Sequence, residues 1–140
     1  MATVRDLMTQ ALRSSGLLAA GESPAPEDVR DAFDYACQLL GQWSLQPLLV
    51  PDTGAIVFSS IDDVLALPAG YEIAIRMSVA LYMREDAGLQ PSRMLIAGAG
   101  EAIEAIKQAN AAVRPPADMT FDPILLGRTG YYDIYNGTEV

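Results

Sequence analysis

Apolar residues recur at helical spacing in four stretches of the chain, and capping residues mark the ends of each stretch. In the first, Thr3 and Asp6 form a variant capping box and Gly16 provides the stop. The second begins at Pro26 and ends before Pro47. The predicted buried faces of these two helices are Val4, Leu7, Met8, Ala11 and Leu12, and Val29, Phe33, Ala36, Leu40 and Trp43.

The third and fourth stretches predict longer helices in the second half of the chain. The third ends near Asp86 and is apolar nearly all round, which is typical of a central helix buried on most sides. Ser92 can cap the fourth, which reaches about Ala112. Gly98 and Gly100 each weaken it by about 1 kcal/mol relative to alanine, which indicates close backbone packing or simple tolerance. Its predicted apolar line is Leu95, Ala99, Ala102, Ile103, Ile106 and Ala109.

Two short apolar segments, 55–58 and 64–67, lie between the second and third helices and are bounded by turn residues. This pattern predicts a β-hairpin at about residues 54–67, which must pack on helices or on a neighbouring subunit because isolated hairpins are marginal in water. The predicted fold is mainly α: a small antiparallel bundle of about four helices, a hairpin between helices 2 and 3, and an extended C-terminal arm. The body is expected to span residues 1–112 and the arm residues 113–140.

The arm is rich in aromatic and aliphatic residues but has no amphipathic period. A disordered tail should be poor in both, so the arm is expected to find its burial on another molecule. A fold-back over its own bundle stays open for Phe121 and Leu125, whereas docking on another subunit or protein is favoured for the three tyrosines. The candidate partner-binding residues are Phe121, Ile124, Leu125, Leu126, Tyr131, Tyr132, Ile134 and Tyr135.

Charge limits the classes of partner. The chain has 9 Lys and Arg against 18 Asp and Glu, a net charge of −9, and its only lysine is Lys107. Nucleic-acid binding through phosphates requires clustered basic residues, so nonspecific DNA binding is not expected. No apolar run approaches the length of a membrane span, and no secretory signal is visible.

The chain has few residues that could serve in catalysis or metal binding. The chain has no histidine and one cysteine, Cys37, so histidine-dependent triads, thiolate sites and zinc sites are not expected, and neither a metal nor a cofactor is predicted. The acidic pairs Asp62-Asp63 and Glu85-Asp86 are interpreted as solvated residues at turns and helix ends. Cys37 is interpreted as a small buried hydrophobe. Core packing is predicted for Trp43 and Tyr82.

The order of parts resembles the head-to-tail adaptor (connector, or head-completion) proteins of tailed phages, and most closely the tail accessory factors of short-tailed phages. The resemblance is carried by Leu67-Pro68-Ala69-Gly70-Tyr71-Glu72 leading into an apolar helix, the break from Gly88 to Pro91, and the Ala-rich helix ending Ile106-Lys107-Gln108-Ala109-Asn110. It extends to the paired N-terminal helices and the C-terminal arm, and thus covers most of the chain.

The resemblance implies a structural protein of the virion, made in the host cytoplasm and located at the head-tail junction. Its subunits form a ring, typically of twelve, under the portal protein after DNA packaging. The arm binds the portal, the ring extends the channel through which DNA passes without specific binding, and the next tail protein attaches below. The resemblance implies no catalytic residue and no cofactor.

Two other functions stay open. The first is an adaptor that also cleaves peptidoglycan through carboxylates, and the second is an acidic interaction module with no role in a virion. Clearing of peptidoglycan by the purified protein would indicate the first, and failure to assemble on a portal would indicate the second.

Overall fold

The structure is a computed structural model that describes residues 2–68, 70–113, 132–133 and 138–139. Most of the described chain is helical, and its four long helices form a small helical bundle, as predicted. The elements are α1 (Val4–Ser15), α2 (Pro26–Ser44), a short 3-10 helix (Pro47–Leu49), α3 (Tyr71–Asp86), α4 (Arg93–Val113), β1 (Tyr132–Asp133) and β2 (Thr138–Glu139).

The capping residues set the bounds of α1. The Thr3 backbone N–H donates to Asp6 Oδ2 at 2.8 Å, and the Asp6 backbone N–H donates to Thr3 Oγ1 at 3.3 Å. These reciprocal bonds form the predicted capping box and satisfy two N–H groups that have no partner within the helix. Gly16 ends the helix at φ 79°, a left-handed conformation that suits glycine.

Consecutive helices alternate in direction. Trp43 near the end of α2 packs edge-on against Tyr71 at the start of α3, and Tyr35, earlier in α2, stacks on Tyr82, later in α3. Those two helices are therefore antiparallel. The hydrogen bond from Arg84 Nη1 to the carbonyl oxygen of Ser15, at 2.6 Å, joins the C-terminal ends of α3 and α1, which run in the same direction.

The central position predicted for the third helix is confirmed, because α3 packs against α1, α2 and α4. Ile75 and Val79 on α3 are fully buried. Its outer face differs from the prediction: Ile73 is 51% exposed, and Tyr82, predicted to pack in the core, is 36% exposed. Tyr82 stacks face to face on Tyr35 at the rim, with ring centroids 6.1 Å apart. Trp43 is buried, as predicted.

The two glycines of α4 have different roles. A Cβ on Gly98 would lie 2.6 Å from Met77 Cε, whereas a Cβ on Gly100 would meet nothing within 4 Å. Gly98 thus allows close packing of α4 on α3, and Gly100 is tolerated at an open position. Ser92 caps the helix, since its Oγ accepts the Leu95 backbone N–H at 3.2 Å. Ala109, predicted to lie on the buried line, is exposed.

The predicted β-hairpin at 54–67 is wrong, because these residues form no strand. Their pairing partner is the segment that enters α1, with one isolated antiparallel bridge between Thr3 and Val64. Three backbone N–H groups donate across this junction: Val4 to Asp63 (2.9 Å), Arg5 to Ile61 (2.8 Å) and Leu65 to Ala2 (3.0 Å). The first turn of a helix has N–H groups without a partner in the helix, and here they bind carbonyl groups of the loop. In a hairpin, those carbonyl groups would have bound the opposite strand.

Within the described part of the chain, none of the helices combines the length and the apolar character needed to cross a membrane. Near the C-terminus, β1 and β2 pair antiparallel, with Tyr132 opposite Glu139 and Asp133 opposite Thr138.

Candidate interaction surfaces

The structure bears on only one of the eight predicted partner-binding residues. Tyr132 lies in β1, whose backbone pairs with β2. The arm as a partner-binding element therefore stays a prediction. The other seven lie outside the described residues: Phe121, Ile124, Leu125, Leu126, Tyr131, Ile134 and Tyr135.

A groove of about 340 Å³ runs beside the C-terminal half of α4, and its other wall is formed by residues 51–53 and by the residues around Gly70. We call it the α4 groove. Its walls are mainly apolar, and small residues on α4 leave it open. The lining residues are Pro51, Asp52, Thr53, Pro68, Gly70, Tyr71, Ala105, Ile106, Ala109 and Asn110.

A hydrogen-bond network that runs from the buried Tyr71 hydroxyl to the surface fixes the position of α4 at this groove. The Tyr71 hydroxyl, on a residue only 3% exposed, donates to the carbonyl oxygen of Leu49 at 3.1 Å. Asn110 Nδ2 donates to that hydroxyl at 2.8 Å and to the carbonyl oxygen of Leu48 at 2.7 Å. Asn110 is one turn from the end of α4, so the network ties the last part of this helix to α3 and to the 3-10 helix.

Tyr71 and Asn110 have no role that their sequence surroundings predict, although both lie in the motifs that carry the resemblance to adaptor proteins. Two features of the sequence could have indicated these roles. They are a polar amide in the last turns of an Ala-rich helix and a tyrosine directly after a glycine. Neither indicates which backbone carbonyl group is the acceptor, because Leu48 and Asn110 are 62 residues apart in the chain.

Several large apolar side chains are exposed at the start of α4 and in the turn before it. In the described part of the chain, α4 packs on α3 and on the 3-10 helix. Its N-terminal half leaves Met94 86% exposed and Ile96 51% exposed, and Leu89 in the preceding turn is also exposed. Because residues two positions apart do not face each other on a helix, Met94 and Ile96 lie on different sides of α4 and are separate candidate contact residues.

The surface of α2 beside the end of α3 is acidic. A shallow cleft there is lined by Asp31, Asp34, Tyr35, Gln38 and Asp86. Partial burial, followed by the hydrogen bond and the negative charge of Asp86, raises the pKa of Tyr35. Tyr35 therefore stays neutral at physiological pH, and the cleft has the character of a solvated carboxylate surface.

Cys37 lines a third, smaller cleft of about 200 Å³, formed by α2 and residues 55–58. The thiol is half-buried, so the predicted burial is only partial. Burial and then the charge of Asp34 raise the pKa of Cys37, which favours the protonated thiol over the nucleophilic thiolate.

The paired carboxylates have separate structural roles. Asp62 forms an exposed ion pair with Arg5 at 2.9 Å. Asp63 accepts the backbone N–H groups of Ser59 and Ser60 at 2.9 and 2.7 Å and so closes the turn that packs on α1. Among the described residues, no group of three or more Cys, Asp or Glu side chains has the arrangement of a metal site.

An i,i+3 ion pair lies on the exposed face of α4. Lys107 Nζ lies 2.8 Å from Glu104 Oε1. Such exposed pairs contribute roughly 0–1 kcal/mol to stability, so this pair indicates a solvated surface.

No protein-family model matches the chain, and no curated protein matches it.

Proposed function

We propose that the chain is a structural virion protein, a head-to-tail adaptor that assembles as a ring under the portal protein. In this role the ring extends the DNA channel and offers a platform to the next tail protein. The C-terminal arm, with Phe121, Ile124, Leu125, Leu126, Tyr131, Tyr132, Ile134 and Tyr135, binds the portal or a neighbouring subunit. The proposal includes neither a catalytic residue nor a cofactor.

The observation that carries the proposal is the exposure of large apolar side chains on the helical body. Met94, Ile96 and Ile73 are at least half exposed on α3 and α4. A ring requires each subunit to present two surfaces to its neighbours, and the exposed apolar residues on α3 and α4 support such contacts.

The charge of the chain supports a channel through which DNA moves. A net charge of −9 repels phosphates, so a ring of these subunits would let DNA slide without binding it. The same charge makes free subunits repel one another. Ring formation is therefore expected to depend on the portal, which brings the subunits together.

A truncation tests the role of the arm. Every residue of the described core cluster lies between Val4 and Ile106, so a protein lacking residues 114–140 is expected to keep its helical circular dichroism spectrum and its cooperative unfolding. It should lose binding to purified portal rings in size-exclusion chromatography with light scattering. The full-length chain should bind, and electron microscopy of the mixture should show an added ring.

Two results would contradict the proposal. If the folded truncated protein bound portal as well as the full chain, the arm would not be the docking element. If the full chain failed to bind portal at all, the acidic interaction module would become the better assignment.

A further inference from the structure

Two extended segments of the chain, 53–58 and 63–67, lie side by side on the bundle without pairing with each other. Their side chains alternate between the bundle and the outside, as they do in a β-strand. No backbone hydrogen bond joins the two segments, and a gap of about 370 Å³ lies between them. We call it the loop gap. The inward side chains that pack on the core are Ile56, Phe58, Leu65 and Leu67, and the exposed ones are Ala55, Val57, Val64 and Ala66.

Main chain forms the walls of the loop gap. Every residue from 53 to 58 lines one wall, whereas a wall of strand side chains would include only alternate residues. A ligand in this gap therefore contacts peptide N–H and C=O groups, which require hydrogen-bond partners when they are covered. The residues of the second wall are Asp63, Val64, Ala66, Leu67 and Pro68.

A hydrogen bond to the segment that enters α1 identifies which backbone groups face the gap. The Leu65 N–H donates to the carbonyl oxygen of Ala2 at 3.0 Å. Successive residues of a strand direct their N–H and C=O groups to opposite edges, so the groups of Val64 and Ala66 are directed away from α1. Both residues line the loop gap, and their N–H groups have no acceptor in the described part of the chain. One edge of this segment is thus paired and the other is free.

A row of free peptide groups along an extended segment is the template on which another extended chain adds as a strand. At the rise of a strand the 53–58 wall is about 20 Å long, so roughly six residues of a partner fit beside it. Two β-branched side chains flank the gap on the outside, since Val57 is 76% exposed and Val64 is 56% exposed. An added strand with β-branched side chains would pack against these valines.

The charge around the gap specifies the partner. Residues 51–68 carry three carboxylates and no lysine or arginine. Arg5 pairs with Asp62, which leaves Asp52 and Asp63, at the two ends of the loop gap, without a cationic partner among the described residues. A second copy of this chain has a net charge of −9, and each of its described strands, β1 and β2, carries one acidic residue. A basic strand of a different protein therefore fits better than a strand of a second copy.

We infer that the loop gap is a docking site for a β-strand, and that it binds an extended, basic segment of another protein. The main chain of the partner bonds to the free edge at Val64 and Ala66 and lies beside residues 53–58. A lysine or arginine near each end of the partner segment faces Asp52 and Asp63. The site does not depend on the proposed function. In an adaptor ring the segment belongs to the next tail protein, and only that assignment rests on the proposed function.

A synthetic peptide tests the inference on the full-length chain. The probe is the capped peptide Lys-Thr-Val-Thr-Val-Thr-Lys, and its matched control has methylated internal nitrogens, which removes the main-chain donors but keeps every side chain. NMR titration should show binding of the probe, with slowed hydrogen exchange at the Val64 and Ala66 amides. The control should bind about tenfold more weakly because it cannot donate to the free edge. A peptide with glutamate in place of both lysines should also bind more weakly.

Two substitutions of Ala66 test the same edge from the side of the protein. Ala66→Pro removes the N–H that faces the gap, whereas Ala66→Ser keeps it. Proline should not disturb folding, because Ala66 is exposed, its N–H has no acceptor in the described structure, and proline favours an extended residue before it. Ala66→Pro should weaken binding of the probe about tenfold, and Ala66→Ser should leave it nearly unchanged. Circular dichroism checks that both variants are folded.

Three results would overturn the inference. Absence of binding at about 1 mM probe would mean that the gap does not accept a strand. Equal binding of the methylated control, or of the probe by folded Ala66→Pro, would mean that main chain is not recognised. Slower exchange at Val64 and Ala66 with rising protein concentration, in the absence of peptide, would mean that a second copy occupies the gap. None of these results involves the portal, so a failure here is distinct from failed portal binding by the arm.

Discussion

Replacing Tyr71 by phenylalanine tests whether the hydrogen-bond network of Tyr71 and Asn110 holds the end of the bundle together. The substitution removes only the hydroxyl, which donates to the carbonyl oxygen of Leu49 and accepts from Asn110. Each such bond contributes about 0.5–1.5 kcal/mol net, and an unpaired buried carbonyl adds to the cost. We therefore expect Tyr71→Phe to lower the free energy of unfolding by about 2 kcal/mol.

Urea and thermal denaturation followed by circular dichroism measure this loss. For a chain of this length, about 2 kcal/mol corresponds to a decrease of about 4–8 °C in Tm. Tyr82→Phe is the matched control, because Tyr82 lies on the rim of the same helix and is partly exposed. Its cost should stay within about 0.5 kcal/mol.

A double-mutant cycle identifies the partner. Asn110→Ala combined with Tyr71→Phe should cost less than the sum of the two single substitutions, by about 1 kcal/mol, because each removes the same hydrogen bond. If Tyr71→Phe cost no more than Tyr82→Phe, or if the costs of Tyr71→Phe and Asn110→Ala were additive, the network would not anchor α4.

Two further outcomes are expected from single substitutions. The hydrogen bonds from Thr3 lower the pKa of Asp6. The stability that Asp6→Asn removes should therefore be present above the ordinary aspartate pKa of 3.8 and should be lost as pH falls through the lowered pKa. If Asp6→Asn lowered the urea midpoint equally at every pH, the capping role of this carboxylate would be contradicted. Met94→Glu should leave Tm nearly unchanged because the side chain is exposed, yet it should prevent a complete ring from forming on the portal. Normal rings in electron micrographs of this variant would exclude Met94 as a subunit contact.

Much of the helical framework could be predicted from local sequence. Thr3, Asp6 and Gly16 set the bounds of α1, and the run of apolar residues in the third helix indicated its central position. These features depend on residues three or four positions apart, so the chemistry that decides them is visible along the chain.

The tertiary structure decided the features that depend on distant partners. Val64 has strand-like sequence surroundings, but its backbone pairs with Thr3, because the open first turn of α1 offers unpaired N–H groups to the whole loop. The residues around Tyr82 in the sequence are apolar, as they are around a buried residue. Tyr82 nevertheless lies on the side of α3 that no other helix covers completely. The α4 groove likewise combines residues from distant parts of the chain, and Asn110 at its edge binds a carbonyl group 62 residues away. Sequence periodicity determines which face of a helix is apolar, whereas packing determines which parts of that face are covered.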